Sequence, residues 1–295
     1  MNSHSKTLRL LMPQWQGGNN PPYTFGAELL AWLAPKSDDP FIEVPVKPFD
    51  GKTETVDGIV ERRALLEQCA AARHLIDAHS PDRVVVFGGD CLVALAPFAY
   101  LSDKYHDGLG ILWIDAHPDV STPEDFCHAH AMVLGNLMGE GDREFVETVK
   151  TPVRPDRVMF AGLLDTLDYE TRVIRRLGLR RAGPKELAEN SKPVLDWLAE
   201  KNITHLAVHL DLDVLDPRQF RSLLFANPDV KPGKFDGISM GEMTMRQVVR
   251  LLRDVSRQTD VVGLAIAEHL PWDALNLKNM LAQFPLLAPE TGGGE

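Results

Sequence analysis

Short apolar runs rich in β-branched residues recur along the chain and constrain its fold more than any other feature. Arg83-Val84-Val85-Val86-Phe87, Gly110-Ile111-Leu112-Trp113-Ile114, Val158 to Gly162, His205 to Leu210 and Val261 to Ala267 have the length of strands and no regular polar alternation. Runs of that kind suit strands covered on both faces. Between them lie segments with apolar residues at helical spacing. Asp57 to His79 carries Ile59, Leu65, Leu66, Ala70, Leu75 and Ile76, with Asp57 as N-cap and Ser80-Pro81 as the stop. Leu92 to Tyr105, about Ala131 to Leu137, Pro184 to Lys201 and Met243 to Arg257 follow the same pattern. Parallel strands need crossover connections, so the alternation predicts an α/β fold with a central parallel sheet between helices.

The flanks fit that frame. Leu8 to Met12 reads as a first strand, Pro13 to Pro22 as loop and Gly26 to Leu33 as helix. Ile42 to Val46 is an edge strand broken by Pro45, and Leu179 to Ala182 is a short strand. Residues 218–240 form a long loop containing Pro and Gly. No repeat or linker divides the chain, so residues 1–295 are expected to be a single domain, with a disordered tail over 289–295.

Composition narrows the function. The 42 acidic residues exceed the 31 basic ones, for a formal charge of −11, which argues against nucleic-acid or anionic-membrane binding. The three cysteines, Cys69, Cys91 and Cys127, are odd in number and irregular in spacing, and point to a reducing cytoplasm rather than a disulfide framework. The apolar run Leu8 to Met12 is too short for a signal peptide, and no stretch approaches the ~20 apolar residues of a membrane span.

The chemistry sits where strands end. Gly88-Gly89-Asp90-Cys91, Asp115-Ala116-His117-Pro118-Asp119, Asp211-Leu212-Asp213 and Glu268-His269-Leu270-Pro271-Trp272-Asp273 each follow an apolar run. The carboxyl edge of a parallel sheet is where such folds bind ligands, so these ends are expected to meet in one crevice. Asp115, Asp119, Asp211 and Asp213 would repel one another there unless cations intervened. Carboxylates with some imidazole suit a hard or borderline ion such as Mn²⁺, and so many of them suggest two bridged ions able to acidify a water for hydrolysis. Each motif has a plainer explanation when taken alone. An Asp-x-Asp is commonly a solvated strand end, His130 can be a cap, and Cys91 can be a packed, inert thiol. Gly88-Gly89 lacks the Gly-Lys-Ser/Thr of a phosphate-binding loop. His209 and His269 read as neighbours of the site or core residues.

With these motifs in this order, the chain resembles the ureohydrolase family of arginases, agmatinases and formimidoylglutamases over roughly residues 80–275. That resemblance implies a three-layer α/β/α fold, two Mn²⁺ ions and attack of metal-bound hydroxide on the carbon of a linear amidine or guanidino compound. It also implies a cytoplasmic homo-oligomer, a trimer or hexamer. Asp115 and Asp211 would bridge the ions, with Asp115 or Asp213 orienting the nucleophile. His117 and Asp213 would complete one ion, and Asp119 and Cys91 the other. His130, in preference to His128, would shuttle protons, and Glu268 would hold the substrate cation.

Several positions depart from the family pattern. Cys91 stands where the family has histidine, and Ser121 where arginases carry asparagine. Leu164 and Leu167 occupy substrate-recognising places, with Asp168 one position late. L-Arginine is therefore not the expected substrate. The same departures motivate a second reading, a non-catalytic or metal-impaired relative with a binding or regulatory role. A third, deacetylase-like amide hydrolysis, would need His128 and His130 to serve as a tandem-histidine motif.

Overall fold

A computed structural model of the chain describes residues 5–231 and 233–284. In chain order the elements are β1 (Thr7–Met12), α1 (Pro22–Leu33), β2 (Phe41–Glu43), β3 (Thr55–Val56), β4 (Ile59–Val60), α2 (Arg62–His79) and β5 (Arg83–Gly88). Then come α3 (Leu95–Tyr105), β6 (Leu109–Ile114), α4 (Val133–Leu137), α5 (Arg143–Glu147), β7 (Val158–Ala161), α6 (Asp168–Leu177) and β8 (Arg180–Ala182). The last are α7 (Lys192–Glu200), β9 (His205–Asp211), α8 (Met245–Gln258), β10 (Asp260–Ala267) and α9 (Trp272–Leu281).

Eight strands form one sheet in the order β2-β1-β5-β10-β9-β6-β7-β8, and every pairing is parallel. Helices cover both faces. On one, Leu65, Cys69, Ala72 and Ile76 of α2 and Leu95, Phe98 and Leu101 of α3 pack on Val84, Val86, Ile111 and Trp113. On the other, Val194, Trp197 and Leu198 of α7 and Val248, Leu251 and Val255 of α8 pack on Leu112, Leu206 and Val208. Strands β6, β7, β9 and β10 send alternate residues to these two cores, so their runs are apolar throughout. The expected three-layer α/β/α architecture is what forms.

Some local expectations are corrected. Asp57 does not cap a helix. With φ of 48° at Asp57 and 80° at Gly58, the pair makes the tight turn between β3 and β4, and α2 begins at Arg62. The helix expected over Pro184 to Lys201 starts only at Lys192, after Ser191, with Pro193 in its first turn. Helices α5, α6 and α9 lie outside the sequence expectations, whereas the capping box Thr244–Gln247 starts α8 close to its expected place. The tail expected over 289–295 lies outside the described residues.

The sheet order is what builds a site. Strands β5, β10, β9 and β6 are consecutive neighbours, so the segments leaving them, which carry Cys91, Glu268, Asp211 with Asp213, and Asp115 with His117, emerge side by side along one edge.

Candidate metal centre

Each of these segments is held by its own backbone chemistry. After β5 the chain passes so close to the Gln14 carbonyl that a Cβ on Gly89 would lie 1.8 Å from its oxygen, so only glycine fits. Asp90 accepts hydrogen bonds from the Gly17 amide at 2.8 Å and the Leu92 amide at 3.0 Å, which fixes the turn that presents Cys91. Asp115 Oδ1 accepts the His117 amide at 2.7 Å and its Oδ2 accepts the Trp113 indole N–H at 3.0 Å. Asp211 Oδ1 accepts the Asp213 amide at 2.6 Å. Asp119 and Glu268 adopt left-handed backbones, with φ of 50° and 65°. Such strain persists where the surroundings over-determine it, commonly at functional sites. Glu268 is held by its amide on the Gly89 carbonyl at 2.7 Å.

The side chains converge. Cys91 Sγ lies 3.0 Å from Asp211 Oδ2 and 3.7 Å from Glu268 Oε1. His117 Nδ1 is 3.1 Å from Asp213 Oδ2 and 3.6 Å from Asp115 Oδ1. His130 Nδ1 is 3.2 Å from Glu268 Oε1, and the Tyr23 hydroxyl donates to Glu268 Oε2. Three overlapping groups have ligand atoms all within 4.8 Å of one another: Cys91, Asp115, His209 and Asp211; Asp115, His117 and Asp213; and Cys91, His130 and Glu268. Of the expected site residues only Asp119 stands outside these groups, although it is buried and its charge is felt by those nearby.

The donors fit divalent cations. The His117 Nε2 faces the Ser239 carbonyl at 3.0 Å, and a carbonyl can only accept, so this nitrogen carries a proton and Nδ1 is the atom turned to the carboxylates' side. An imidazole that gives its second N–H to a backbone carbonyl is the usual arrangement of a metal ligand. Asp119 Oδ2, Asp213 Oδ1 and both His209 nitrogens are buried without any hydrogen-bond partner among the described residues. Burial, reinforced by the Asp213 charge, pushes Asp115 up to about 7, and burial with neighbouring carboxylates raises Asp119 and Asp211. Burial opposes charge on both His117 and Asp213 as well. Their mutual attraction outweighs it, raising His117 and lowering Asp213. A protonated imidazole thus fills the electrostatic role that a cation would take.

Two features escape a sequence reading. Tyr23 reaches Glu268 from the start of α1, and nothing in Pro21-Pro22-Tyr23 signals that contact. Ser239 approaches His117 from the far end of the loop spanning 218–240. His209 did carry a signal, since on a strand it shares a face with Asp211. Ser121 meets the Tyr169 hydroxyl at 2.9 Å, Leu164 lines the mouth described next, and Asp168 opens α6.

Beside His117 the loop walls a cleft of about 790 Å³ lined by Leu164, Asp165, Arg221, Phe225, Ser239 and Glu242, among others. Arg218 at its rim is engaged with Asp216 at 2.9 Å. The cleft adjoins the centre through Ser239 and through Phe225, whose ring centroid is 6.1 Å from that of His117.

Known proteins share this fold. The chain is 29% identical over 143 residues to the arginase of Staphylococcus aureus, a match covering 45% of this chain and 46% of the relative, so it spans about half the length of the curated relatives it matches first. Its fold superposes on the crystal structure of arginase from Bacillus cereus with a TM-score of 0.73 at 18% identity, covering 90% of this chain and 91% of that one. Formimidoylglutamase from Bacillus subtilis gives a TM-score of 0.66 at 12% identity, covering 92% and 81% of the respective chains. The sequence model of the arginase family matches residues 43–276 of this 295-residue chain, from β2 through the strand ends just described and into α9, and the protein therefore belongs to the arginase family.

Proposed function

We propose that the protein is a metal-dependent hydrolase that cleaves a C–N bond of a linear amidine or guanidino compound. The observation that carries this reading is the convergence of two carboxylate–imidazole donor groups, sharing Asp115, beside the buried carboxyl of Glu268. Asp115, His117 and Asp213 would hold one divalent cation, and Cys91, Asp211 and Asp115 the other. The family resemblance favours Mn²⁺. Bound there, the ions would lower the pKa of a water and make it nucleophilic at neutral pH.

The protein's own groups supply the rest. Burial disfavours charge on Glu268 and holds its carboxyl well above the ordinary carboxylic range. An entering amidinium reverses that balance. Its charge favours the carboxylate, and the freed proton passes to His130, whose Nδ1 is already 3.2 Å away. Burial, together with the His128 and His117 charges, pushes His130 down to about 3, so it does not keep the proton. Its side chain is 23% exposed and opens a path to solvent. The resulting Glu268 carboxylate, steadied by the Tyr23 hydroxyl, orients the amidinium by charge-assisted hydrogen bonds. Asp115, fixed through both oxygens, aligns the water against the amidine carbon. Addition forms the C–O bond, the C–N bond then breaks, and the departing amine takes a proton delivered through His130. Water is consumed, and a urea or amide and an amine result.

The cleft under the loop would take the substrate's remainder. Arg221, Asp165 and Glu242 there offer charges of both signs, and Leu164 stands at a family recognition position, consistent with a substrate other than L-arginine. The test is purified protein, reconstituted with Mn²⁺, against a panel of guanidino and formimidoyl compounds, with urea, formamide and amine release measured. Turnover of one member is expected. Two bound ions with no product from any member would overturn the reading.

A further inference from the structure

One donor group departs from what two equivalent manganese positions would require. Cys91 Sγ, an Asp115 oxygen, a His209 ring nitrogen and an Asp211 oxygen lie within 4.8 Å of one another, all four residues buried. His209 is 0% exposed, and neither of its nitrogens has a hydrogen-bond partner among the described residues. A buried imidazole left wholly unpartnered is costly, which calls for a partner the protein itself does not supply. The ring is also fixed in place. Trp113, its cross-strand neighbour, stacks on it with centroids 3.8 Å apart and planes 16° apart, while the same indole donates to Asp115 Oδ2. His209 Nε2 thereby stands 3.8 Å from Asp115 Oδ2. Asp119, the oxygen ligand that the family resemblance assigned to this position, lies outside the group.

The group offers one sulfur, one nitrogen and two carboxylate oxygens. Thiolate and imidazole favour zinc, which accepts four such ligands, over manganese, which prefers oxygen. The neighbouring group of Asp115, His117 and Asp213 keeps oxygen in the majority and has no sulfur.

We propose that the centre is asymmetric: Cys91, His209 and Asp211 form a zinc-selective position with His209 as a direct ligand, joined through Asp115 to a harder, manganese-type position at His117 and Asp213. Binding at the zinc-selective position breaks the S–H bond, and the thiol proton, which now points at Asp211 Oδ2, leaves to the buffer. The inference rests on reading the crevice as a metal centre but not on amidine hydrolysis.

The test uses the full-length apoprotein and metals alone. Co²⁺, a spectroscopic stand-in for zinc, is expected to produce a thiolate-to-cobalt charge-transfer band saturating at one equivalent. Cys91→Ser should abolish the band, and Cys127→Ser, at an exposed thiol, should keep it. Zn²⁺ should displace this cobalt at least 100-fold more readily than Mn²⁺ does, and His209→Gln should weaken zinc binding 10-fold or more. Should Cys91→Ser not fold, X-ray absorption at the zinc edge of the unmodified protein decides the matter, with one sulfur at about 2.3 Å and at least one imidazole expected. Zinc surrounded only by oxygen and nitrogen, or displaced equally well by Mn²⁺, overturns the asymmetry while leaving a hydrolytic centre intact. Failure to bind any ion overturns both.

Discussion

His117 Nε2 meets the backbone carbonyl of Ser239 at 3.0 Å, tying a strand-end ligand to a residue 122 positions later, at the end of the long loop. This contact fixes which nitrogen faces Asp213. Replacing residues 227–238 with a short Gly-Ser linker should therefore weaken Mn²⁺ binding about 10-fold or more, the usual consequence of losing a ligand's outer partner. Calorimetric titration with the far-ultraviolet spectrum as a folding control checks this. Unchanged affinity would show that the carbonyl does not orient the ring.

The crowded carboxylates make metal removal a stability experiment. At an ion concentration 100 times the dissociation constant, binding stabilises the folded chain by about 2.7 kcal/mol, so chelation should lower Tm by several degrees. Asp119→Asn should act in opposite directions in the two states. It replaces a buried carboxyl whose ionisation is disfavoured by burial and neighbouring carboxylates and whose Oδ2 has no partner among the described residues, so the metal-free protein should melt higher while the gain on adding Mn²⁺ shrinks. Thermal scans with and without Mn²⁺ read both effects.

Tyr23→Phe deletes the hydroxyl that donates to Glu268 and leaves a buried carboxyl oxygen short of a partner. A loss of roughly 1–3 kcal/mol is expected for such a group, which corresponds to kcat/KM falling about 10- to 100-fold. The effect should be larger for cationic amidines than for a neutral analogue, because the hydroxyl steadies the carboxylate that pairs with the cation. Steady-state kinetics on one matched pair of substrates is the check.

Asp216 supports the turn at the cleft rim, accepting from Arg218 and Gln219, and the Arg218 guanidinium holds its carboxyl down to about 2. A carboxyl lowered in the folded state adds stability that is complete above its unfolded pKa and is lost as pH falls through about 2. Arg218 is largely exposed, so solvent screens the pair and Arg218→Ala should lower stability only slightly at neutral pH. The difference should vanish in strong acid. Denaturant melts at pH 7 and near pH 2 measure it.

Much of this molecule is legible in its sequence. Strands such as Arg83–Gly88 and His205–Asp211 are apolar because both faces are covered, and a pattern that simple survives in sequence. The motifs at their ends could be placed along one edge because parallel strands all point the same way. What escaped depended on tertiary contact. Asp57 looked like a helix cap because Asp suits caps and tight turns alike, and only the pairing of Thr55 with Val60 decides between them. Tyr23 and Ser239 reach the site from segments with no local signature. A lone histidine in an apolar strand is usually packed, so from sequence His209 is a neighbour of the site. Its nitrogens, unpartnered among the described residues, change that reading.

An anomalous-scattering map of crystals grown with Mn²⁺ and Zn²⁺ shows whether the edge of β5, β10, β9 and β6 is a two-ion hydrolytic centre. Two peaks sharing Asp115 are expected, one beside His117 and Asp213 and the other beside Cys91 and Asp211. A crevice without either peak would overturn it.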